Sequence, residues 1–558
     1  MDNLARKLGG LPERKFIERR FEDCYQVYEN WRPRWKEICS YIAPYRGAFD
    51  DDEPNRGERR DGQIINETAV DANGILAAGM QSGMTSLSRP WFRLGLLDPE
   101  LSEYAPVRRF LDKCAEQILG IYARTNIYEC THNVYEELGG PGTGAMAILE
   151  DFENVMRGTS FTIGEYAVAC GPDGRVNTFA RKRLMTVYDM VKEFGLDMVS
   201  DAVRNCYKDG KLGERFMVYH LIEPNDERIP DMVDALNKPF RSVYWEPNVK
   251  DRYLAVRGFE EFPIMVPRWQ VFRSADYYGR GPGWKALPGV KQLQVMEKDK
   301  LLTIKLANRP PIKAPSSAKA TLISLLPGSI TFADDNGGNG VTPLFLVNQN
   351  IQHLAAEIDR VEQRVRRAFY ADLFLMMVES DRREITAREV AERHEEKLLI
   401  IGPTLERLQN DFYDPMIARS FAILQRANLL PEIPRELHGK VIKVDYISIL
   451  AQAQKMVATN TIAQAVAFAT QVATAQPDVL DVLDLDQAVR KYSEAVGLSP
   501  EIVRSIEDVR KIRAAREQAL QQQQMMASAA AAADAAKNLS QADMSRSNAL
   551  TVLMGGAA

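Results

Sequence analysis

Apolar residues follow two different periods along this chain, and the clearest pattern is a pair of helical stretches that flank a turn-rich insert. The first helix is predicted to begin near Trp284 or Pro288 and to end at Arg309-Pro310-Pro311, because proline lacks the backbone donor and clashes with the preceding turn. The second has the 3-4-3-4-3 apolar spacing of a helix that packs on other helices. Its stripe consists of Ile351, Leu354, Ile358, Val361, Val365 and Ala368. Between them, residues 312–347 carry turn signals around short β-like runs. The pattern predicts an antiparallel hairpin with a small tip, a stalk that suits a ring of subunits.

The rest of the chain mixes helical patterns with a region of strand patterns. Residues 13–45 are predicted to form two helices separated at Pro33, and residues 66–87 a buried helix rich in small residues. A hairpin around Gly171-Pro172-Asp173-Gly174 and short strands at 216–222, 242–246 and 253–257 predict an antiparallel sheet. Helices return at 385–428, with a break at Gly402-Pro403, and at 447–473. The predicted fold class is therefore α+β and mostly helical.

Composition narrows the class of protein. A chain of 558 residues is long enough for several domains, and its 45% hydrophobic and 26% charged residues are ordinary for a globular protein. The net charge of −5 argues against wholesale wrapping by nucleic acid but leaves room for a local basic surface. Six scattered cysteines without a C-x-x-C pair favour reduced thiols. The longest apolar-rich run, residues 461–475, is too short to span a bilayer, so no membrane partner is predicted.

None of the known catalytic or ligand-binding motifs is complete in this sequence. The glycine-dense run at residues 139–144 is followed by Ala145 and Met146 instead of the Lys-Ser/Thr of a phosphate loop, which favours a tight helix–helix corner. The five histidines share no metal-ligand spacing. No nucleophile elbow or zinc-protease motif is present. The prediction is a protein that is not an enzyme and has no cofactor and no metal.

Two basic stripes remain. Lys291, Lys298 and Lys305 are spaced by seven residues and share one face of the first hairpin helix. Arg360, Arg364 and Arg367 share a face of the second. On a lone helix such residues are solvated or form pairs such as Glu362–Arg366. In a ring they would repeat as circles of positive charge that screen phosphates without reading sequence, moderated by acids such as Glu297 and Asp299.

Several segments, taken in order, resemble the portal (head-to-tail connecting) proteins of short-tailed double-stranded DNA bacteriophages. They begin with Asn66-Glu-Thr-Ala-Val-Asp and the following run through Arg-Pro-Trp-Phe92, then Gly-Thr-Gly-Ala145. Tyr278-Gly-Arg-Gly-Pro282, Ala286-Leu-Pro-Gly-Val-Lys291 and Ile385-Thr-Ala-Arg-Glu-Val follow. Each motif is weak alone, but their order is specific. The resemblance covers roughly residues 15–500 and leaves out the Gln- and Ala-rich tail.

The resemblance implies a ring, usually of twelve identical subunits, built from wing, stem, clip and crown regions around a DNA channel. The expected domains begin with a wing at 1–281, stem helix 1 at 282–309, a small α/β clip at 310–348 and stem helix 2 at 349–375. A tunnel loop with further wing helices follows at 376–440, and a crown at 441–504. The helical tail at 505–558 is a candidate barrel extension. By the same resemblance, the candidates to line the tunnel loop are Met376, Met377, Glu379, Arg382 and Arg383.

The function implied by the resemblance is passage of double-stranded DNA through one capsid vertex, inward during packaging and outward during ejection. The expected partners are further copies of the chain, non-specific double-stranded DNA, the terminase large subunit, the major capsid and scaffolding proteins, and tail adaptor or nozzle proteins. The expected location is the virion, after assembly in the host cytoplasm. Two alternatives stay open: an oligomeric scaffold or adaptor ring without a DNA role, and an α/β enzyme with an unrecognised site.

Overall fold

The structure is a computed structural model of the 558-residue chain. It describes residues 13–49, 57, 60–98, 101–102, 104–232, 234–250, 252–273, 275–308, 312–313, 342–343, 351–375, 400–437, 439–440, 442–448, 450–452, 466–473, 482, 484–489 and 506–540. The chain divides into two compact units, Met1–Asn460 and Thr461–Ala558.

Helices make up about half of the described residues of the first unit. They are α1 (Arg14–Ile42), α2 (Thr68–Met84), α3 (Ala105–Arg124), α4 (Ile127–Gly139), α5 (Val187–Phe194), α6 (Asp201–Lys208), α7 (Pro282–Asn308), α8 (Ile351–Ala368) and α9 (Asp414–Arg426). Residues 400–408 are helical as well, and a π-turn at Gln409–Tyr413 joins them to α9. Short 3₁₀ turns lie at Ala235–Asn237 and Arg435–Leu437. In the second unit, α10 spans Ile506–Ser540, and residues 466–473 and 485–489 are helical.

The strands form small antiparallel sheets. They are β1 (Phe92–Leu96), β2 (Ala145–Asp151), β3 (Val155–Phe161), β4 (Tyr166–Cys170), β5 (Val176–Thr186), β6 (Arg215–Pro224), β7 (Phe240–Trp245), β8 (Ala255–Phe259), β9 (Ile264–Met265), β10 (Ile312–Lys313), β11 (Thr342–Pro343) and β12 (Ile442–Tyr446). The largest sheet has the order β4-β5-β6-β7-β8, a second has the order β3-β2-β9, and two pairs join β1 to β12 and β10 to β11. The described residues thus form a mixed α+β protein with antiparallel sheets, as predicted.

The core of the first unit lies where α1 crosses one face of the five-stranded sheet. Phe21 stacks on Tyr219 with the ring centroids 4.6 Å apart and meets Trp245 edge-on at 5.2 Å. The prediction of two helices divided at Pro33 is wrong, because α1 runs unbroken through that proline. Its buried face continues on both sides, from Tyr28 to Trp35, and this packing offsets the ~3 kcal/mol that an internal proline costs.

The strand predictions were correct where the turn chemistry was explicit. β4 and β5 form the predicted hairpin around residues 171–174. The strands β2 and β3 were missed, and the glycine run that precedes β2 is a helix-to-strand corner rather than a helix–helix corner. The predicted break at Gly402-Pro403 is also wrong, since residues 400–408 are helical and bury Ile401 and Leu405.

Buried ion pairs connect distant segments of the first unit. Arg268, which follows β9, pairs with Asp411 of the π-turn at 3.1 Å, and both side chains are at most 10% exposed. Arg241 of β7 pairs with Glu223 of β6 at 2.7 Å. Removing two charges from water is costly unless they remain paired with each other. Any arrangement that separated these partners while keeping them buried would therefore be penalised. All six cysteines are free thiols.

Candidate functional site

The predicted helical hairpin is present as α7 and α8, and its boundaries agree with the sequence pattern. α7 ends at Asn308, directly before Arg309, and its 27 residues correspond to a length of roughly 40 Å. α8 covers the whole predicted apolar stripe. Beyond the two helices, β10 and β11 pair Ile312 with Pro343 and Lys313 with Thr342. The chain therefore leaves the first helix and returns to the second through two adjacent segments.

The lower part of the hairpin is tightly packed. Ile358, Val361 and Val365 of α8 are all buried. Gly289 of α7 lies opposite them: a Cβ at that position would meet Val365 at 3.5 Å and Val361 at 3.8 Å. On the same side of α7, Ala286, Leu287, Val290 and Leu293 are buried. These three residues of the α8 stripe are thus buried on the side of α8 that faces α7.

The upper part of the hairpin is exposed within one subunit. Leu354 of α8 is only half-buried, and the side chain of Ile351 lies outside the described residues. On α7, Val295, Leu301 and Leu302 are 59%, 45% and 54% exposed. Val295 and Leu302 are seven residues apart and so share a face of the helix. A single subunit therefore leaves an apolar strip on this half of α7.

A glycine-rich socket, residues 138–144 packed against residues 279–283, holds the base of the hairpin. Gly142 has φ +94°, and a Cβ there would lie 2.1 Å from the backbone nitrogen of Gly281. A Cβ on Gly281 would lie 2.3 Å from the carbonyl oxygen of Leu138. The Trp284 indole donates to the Pro141 carbonyl at 2.6 Å, and the Gly279 amide donates to Thr143 Oγ1 at 2.8 Å. The glycines thus serve close backbone approach, the use for which only glycine is suited.

A polar clamp joins the hairpin to the segment before α2. Gln294 Oε1 accepts hydrogen bonds from the amides of Ile65 and Asn66 at 2.6 and 2.9 Å, and its Nε2 donates to the Asn66 carbonyl at 2.9 Å. Asn66 Nδ2 donates to Glu362 of α8 at 2.9 Å. Gln294 is buried, so satisfying its amide at both ends matters. Sequence reasoning did not find Gln294, since a lone glutamine in a helix carries no signal of its partners.

The lysine stripe divides in two. Lys291 forms an ion pair with Glu37 of α1 and lies over the ring of Tyr41, and this contact holds the pKa of the Glu37 carboxyl below its usual range. Lys298 and Lys305 are exposed. Lys291 is therefore committed to the body of its own subunit, whereas the other two lysines lie beside the exposed strip of Val295 and Leu302.

The arginine stripe follows the outside of α8. Arg360 pairs with Glu357 on its own helix, and Arg364 donates to Gln292 of α7 at 3.1 Å. Arg367 is exposed. The predicted pair Glu362–Arg366 is confirmed at 3.2 Å. Of the two acids predicted to moderate the lysines, Glu297 pairs with Lys300 at 2.6 Å and Asp299 is exposed.

Other predicted sites have no geometry to compare. The tunnel-loop candidates Met376, Met377, Glu379, Arg382 and Arg383 lie outside the described residues. Within the described ranges, no three His, Cys, Asp or Glu side chains gather into a set that could hold a metal ion. Among the helices that the structure describes, none has the length and apolar character that crossing a bilayer requires.

Sequence comparisons agree with the family resemblance that the order of motifs indicated. The family described as bacteriophage head to tail connecting protein matches residues 14–503. A probable portal protein of Bordetella phage BPP-1 is 40% identical over 544 residues, which is 97% of each chain. A portal protein of Salmonella phage epsilon15 is 40% identical over 530 residues, or 95% of each chain. Matched over nearly its whole length, the chain belongs to the family of bacteriophage head-to-tail connecting proteins.

Proposed function

We propose that the chain assembles into a ring of identical subunits, twelve by family resemblance, that forms the channel for double-stranded DNA at one capsid vertex. The ring takes in DNA during packaging and releases it during ejection. Its partners are the terminase large subunit, the major capsid and scaffolding proteins and tail adaptor or nozzle proteins, all in a virion assembled in the host cytoplasm. Bond chemistry is left to the separate packaging motor, so the chain acts as a structural part and not as an enzyme.

The proposed regions follow the fold. Residues 1–281 form the wing with the five-stranded sheet, and α7 and α8 form the stem. The insert between them is the clip, which begins and ends at the β10–β11 pair. Residues 376–440 supply the tunnel loop and further wing helices, residues 441–504 the crown, and the tail with α10 a barrel extension.

One observation supports the ring above all others: the upper half of α7 is apolar and uncovered within the subunit. Val295, Leu301 and Leu302 are each at least 45% exposed, although the lower half of the same helix is buried. Burying this strip against a neighbouring subunit would contribute about 25 cal/mol for each Å² of apolar area. The exposed stem is therefore the surface through which we expect the subunits to associate.

Leu302→Asp tests this assignment. Leu302 is more than half exposed in its own subunit, so the variant should fold normally but place an unpaired charge in the subunit interface. Mass photometry should report wild-type rings at a multiple of 62.9 kDa and the variant at the mass of one subunit or a few. Ile358→Asp is a poorer test, because Ile358 is buried between α7 and α8 and its loss would also damage the subunit.

Leu212→Asp is the matched control. Leu212 is an exposed leucine in the turn between α6 and β6, so the same change of chemistry there should leave ring assembly intact. Both variants should keep the wild-type circular dichroism spectrum. Rings of unchanged mass from Leu302→Asp would show that subunits associate through another surface.

The tunnel loop is proposed to narrow the channel. Deleting residues 379–383 should leave the rings intact but reduce the retention of packaged DNA. Normal packaging and retention by intact rings that lack these residues would contradict the assignment.

A further inference from the structure

A large cleft lies in the proposed wing, away from the hairpin. It opens between the five-stranded sheet and the strands β2 and β3, with residues 46–49 after α1 and the end of α9 at its edges. Its volume is about 1290 Å³. Pockets that hold small molecules measure about 300–1,000 Å³, so this cleft has room for a segment of a macromolecule.

The cleft is strongly basic although the whole chain carries a net charge of −5. Twelve lysine and arginine side chains line it, against four glutamates. Two further glutamates lie behind the wall: Glu136 pairs with Arg46, and Glu261 pairs with Arg419 and Arg426. Counting these two, the positive excess is six. Walls of one charge in a protein interior concentrate the field and favour an oppositely charged ligand.

Arg181 of β5 is the central side chain of the cleft. Its Nε donates to His220 Nδ1 at 3.1 Å, and its guanidinium lies over the ring of Phe161 at 5.3 Å. His220 is buried, and burial lowers its pKa well below the usual range, so this partner is neutral. Among the described residues no carboxylate lies within ion-pair distance of Arg181. Glu193 and Glu165 act on Arg181 only from beyond that distance. A half-buried cation without a direct ion pair is unfavourable in the isolated subunit, and an anionic ligand would supply that pair.

Neighbouring cations extend the positive surface. Arg183 and Arg257 share a single glutamate, Glu193, at 3.5 and 3.6 Å. Arg157 of β3 is exposed at the opposite wall and has no ion-pair partner among the residues that the structure describes. Guanidinium groups bind carboxylates and phosphates in a two-pronged manner. Arg181, Arg183 and Arg157 therefore form a set that can hold several acidic groups at once.

The aromatic rings of the cleft favour a peptide over a nucleic acid. Single-stranded nucleic acids bind proteins by stacking bases on free aromatic faces. Here Phe161 packs on Phe179 with the centroids 5.1 Å apart and lies beneath Arg181. Tyr244 stacks on His220 at 3.9 Å and has Arg257 at 5.4 Å. The other two rings of the lining are covered as well, since Phe259 has the Arg419 guanidinium at 5.6 Å and Phe49 is buried. The cleft therefore offers charge without a free stacking platform.

We propose that this cleft binds an acidic peptide segment of a partner protein, with Arg181, Arg183 and Arg157 binding its carboxylates. The segment lies between the two sheets of the wing and is recognised mainly through charge. The inference does not use the proposed ring, because all the observations behind it are contacts within one chain.

Fluorescence anisotropy of the full-length protein tests the proposal with a labelled peptide of alternating glutamate and glycine. The reference ligands are the same peptide with glutamine for glutamate, a single-stranded oligothymidine of equal charge, and inorganic phosphate as competitor. We expect the acidic peptide to bind at least tenfold more tightly than the glutamine peptide. Added salt should weaken this binding.

Variants locate the binding site. Arg181→Gln and Arg157→Gln should each weaken peptide binding at least fivefold, and the second tests the exposed wall without disturbing a buried side chain. Arg124→Gln is the matched control, an exposed arginine at the end of α3 outside the cleft, and should change the affinity less than twofold. Equal losses in all three variants would overturn the assignment of the site.

Other occupants give distinct results. If oligothymidine bound more tightly than the acidic peptide and its binding depended on Arg157, the cleft would be a nucleic-acid site. If millimolar phosphate displaced the peptide completely, the cleft would be a simple anion site. Either result would overturn the peptide assignment. The chain has its own acidic run, Asp50-Asp51-Asp52-Glu53, between the cleft residues Phe49 and Arg60. To remove competition from this run, the anisotropy measurement is repeated on a variant in which its Asp residues are changed to Asn and its Glu to Gln. Peptide binding to either chain supports the proposal, and its absence from both overturns it.

Discussion

The lower and upper halves of the α7–α8 hairpin differ in how completely contacts within one subunit bury their apolar side chains and pair their polar groups. At the base, the glycine socket brings backbones into direct contact, and three hydrogen bonds hold the buried amide of Gln294. Toward the tip, Val295 and Leu302 are exposed and Leu354 is only half-buried. The base is therefore held by contacts within the subunit, whereas the upper half is exposed and is the surface that we propose for association between subunits. Changes at the base should lower subunit stability, and changes above it should affect assembly or DNA.

Gly142→Ala should have the largest effect on the base. The new Cβ would lie 2.1 Å from the Gly281 nitrogen, on a residue with φ +94°. Backbone strain and overpacking each cost about 1–3 kcal/mol, so the subunit should lose about 2–6 kcal/mol of unfolding free energy. The urea midpoint, followed by circular dichroism, measures this loss.

Gly120→Ala in α3 is the control for that change. No atom lies within 4 Å of a Cβ at Gly120. Because alanine favours a helix over glycine, this variant should gain about 0.5–1 kcal/mol. If Gly142→Ala unfolded at the same urea concentration as wild type, the socket would not depend on close backbone contact.

Arg268→Ala should be the next largest change at the base. Arg268 extends from the segment that packs beside the socket, and removing it leaves the carboxylate of Asp411 unpaired in a buried setting. Breaking such a pair costs about 3 kcal/mol or more. Arg183→Ala, which removes an exposed pair with Glu193, should cost less than about 1 kcal/mol. Thermal unfolding midpoints compare the two variants, and equal shifts would argue that the buried pair contributes no more than a surface pair.

Glu137, the residue directly before the socket, makes the stability of the subunit depend on pH. It is buried in α4, accepts hydrogen bonds from Thr162 Oγ1 at 2.6 Å and the Ile163 amide at 3.2 Å, and burial raises its pKa to about 7. The folded state thus holds this proton more tightly than the unfolded state. Its contribution to stability is complete below the ordinary pKa of 4.5 and is lost as the pH rises through about 7.

Glu137→Gln should remove this dependence. As the pH rises from 4.5 to 8, the unfolding free energy of wild type should fall by about 2–3 kcal/mol relative to that of the variant. Both proteins contain the other carboxylates, such as Glu37, whose pKa is shifted in the opposite direction. Their contributions to stability therefore cancel when the two unfolding free energies are subtracted. Parallel stability curves for the two proteins would mean that Glu137 ionises normally in the fold.

The smallest predicted effect concerns the upper half of the hairpin. Replacing Lys298 and Lys305 with glutamine should lower the slope of the logarithm of DNA affinity against the logarithm of salt concentration by up to about 2, because each lost phosphate contact removes about 0.9 of a released counterion. Lys291→Gln should leave the slope unchanged, since Lys291 pairs with Glu37. An unchanged slope in the double variant would transfer the DNA contact to Arg360, Arg364 and Arg367.

Periodicity and turn residues predicted the hairpin, the β4–β5 turn and the small-residue helix α2 within a few residues of their bounds. These features depend on local spacing and on prolines and glycines, which act within a turn of the chain. Sequence reasoning failed where packing overrides a local rule. α1 continues through Pro33 because its buried face extends on both sides, and residues 139–144 meet a segment more than a hundred residues away.

The sequence by itself thus determined the class of fold, the helical boundaries of the stem and the family, since the order of motifs and the apolar periods are properties of the chain. Only the tertiary structure decided which side chains have partners. It paired Lys291 with Glu37, left Leu302 exposed, and placed Arg181 beside a neutral histidine in a basic cleft. The physical reason is that the energy of a charge or an apolar surface depends on its neighbours in space, and residues far apart in sequence supply those neighbours.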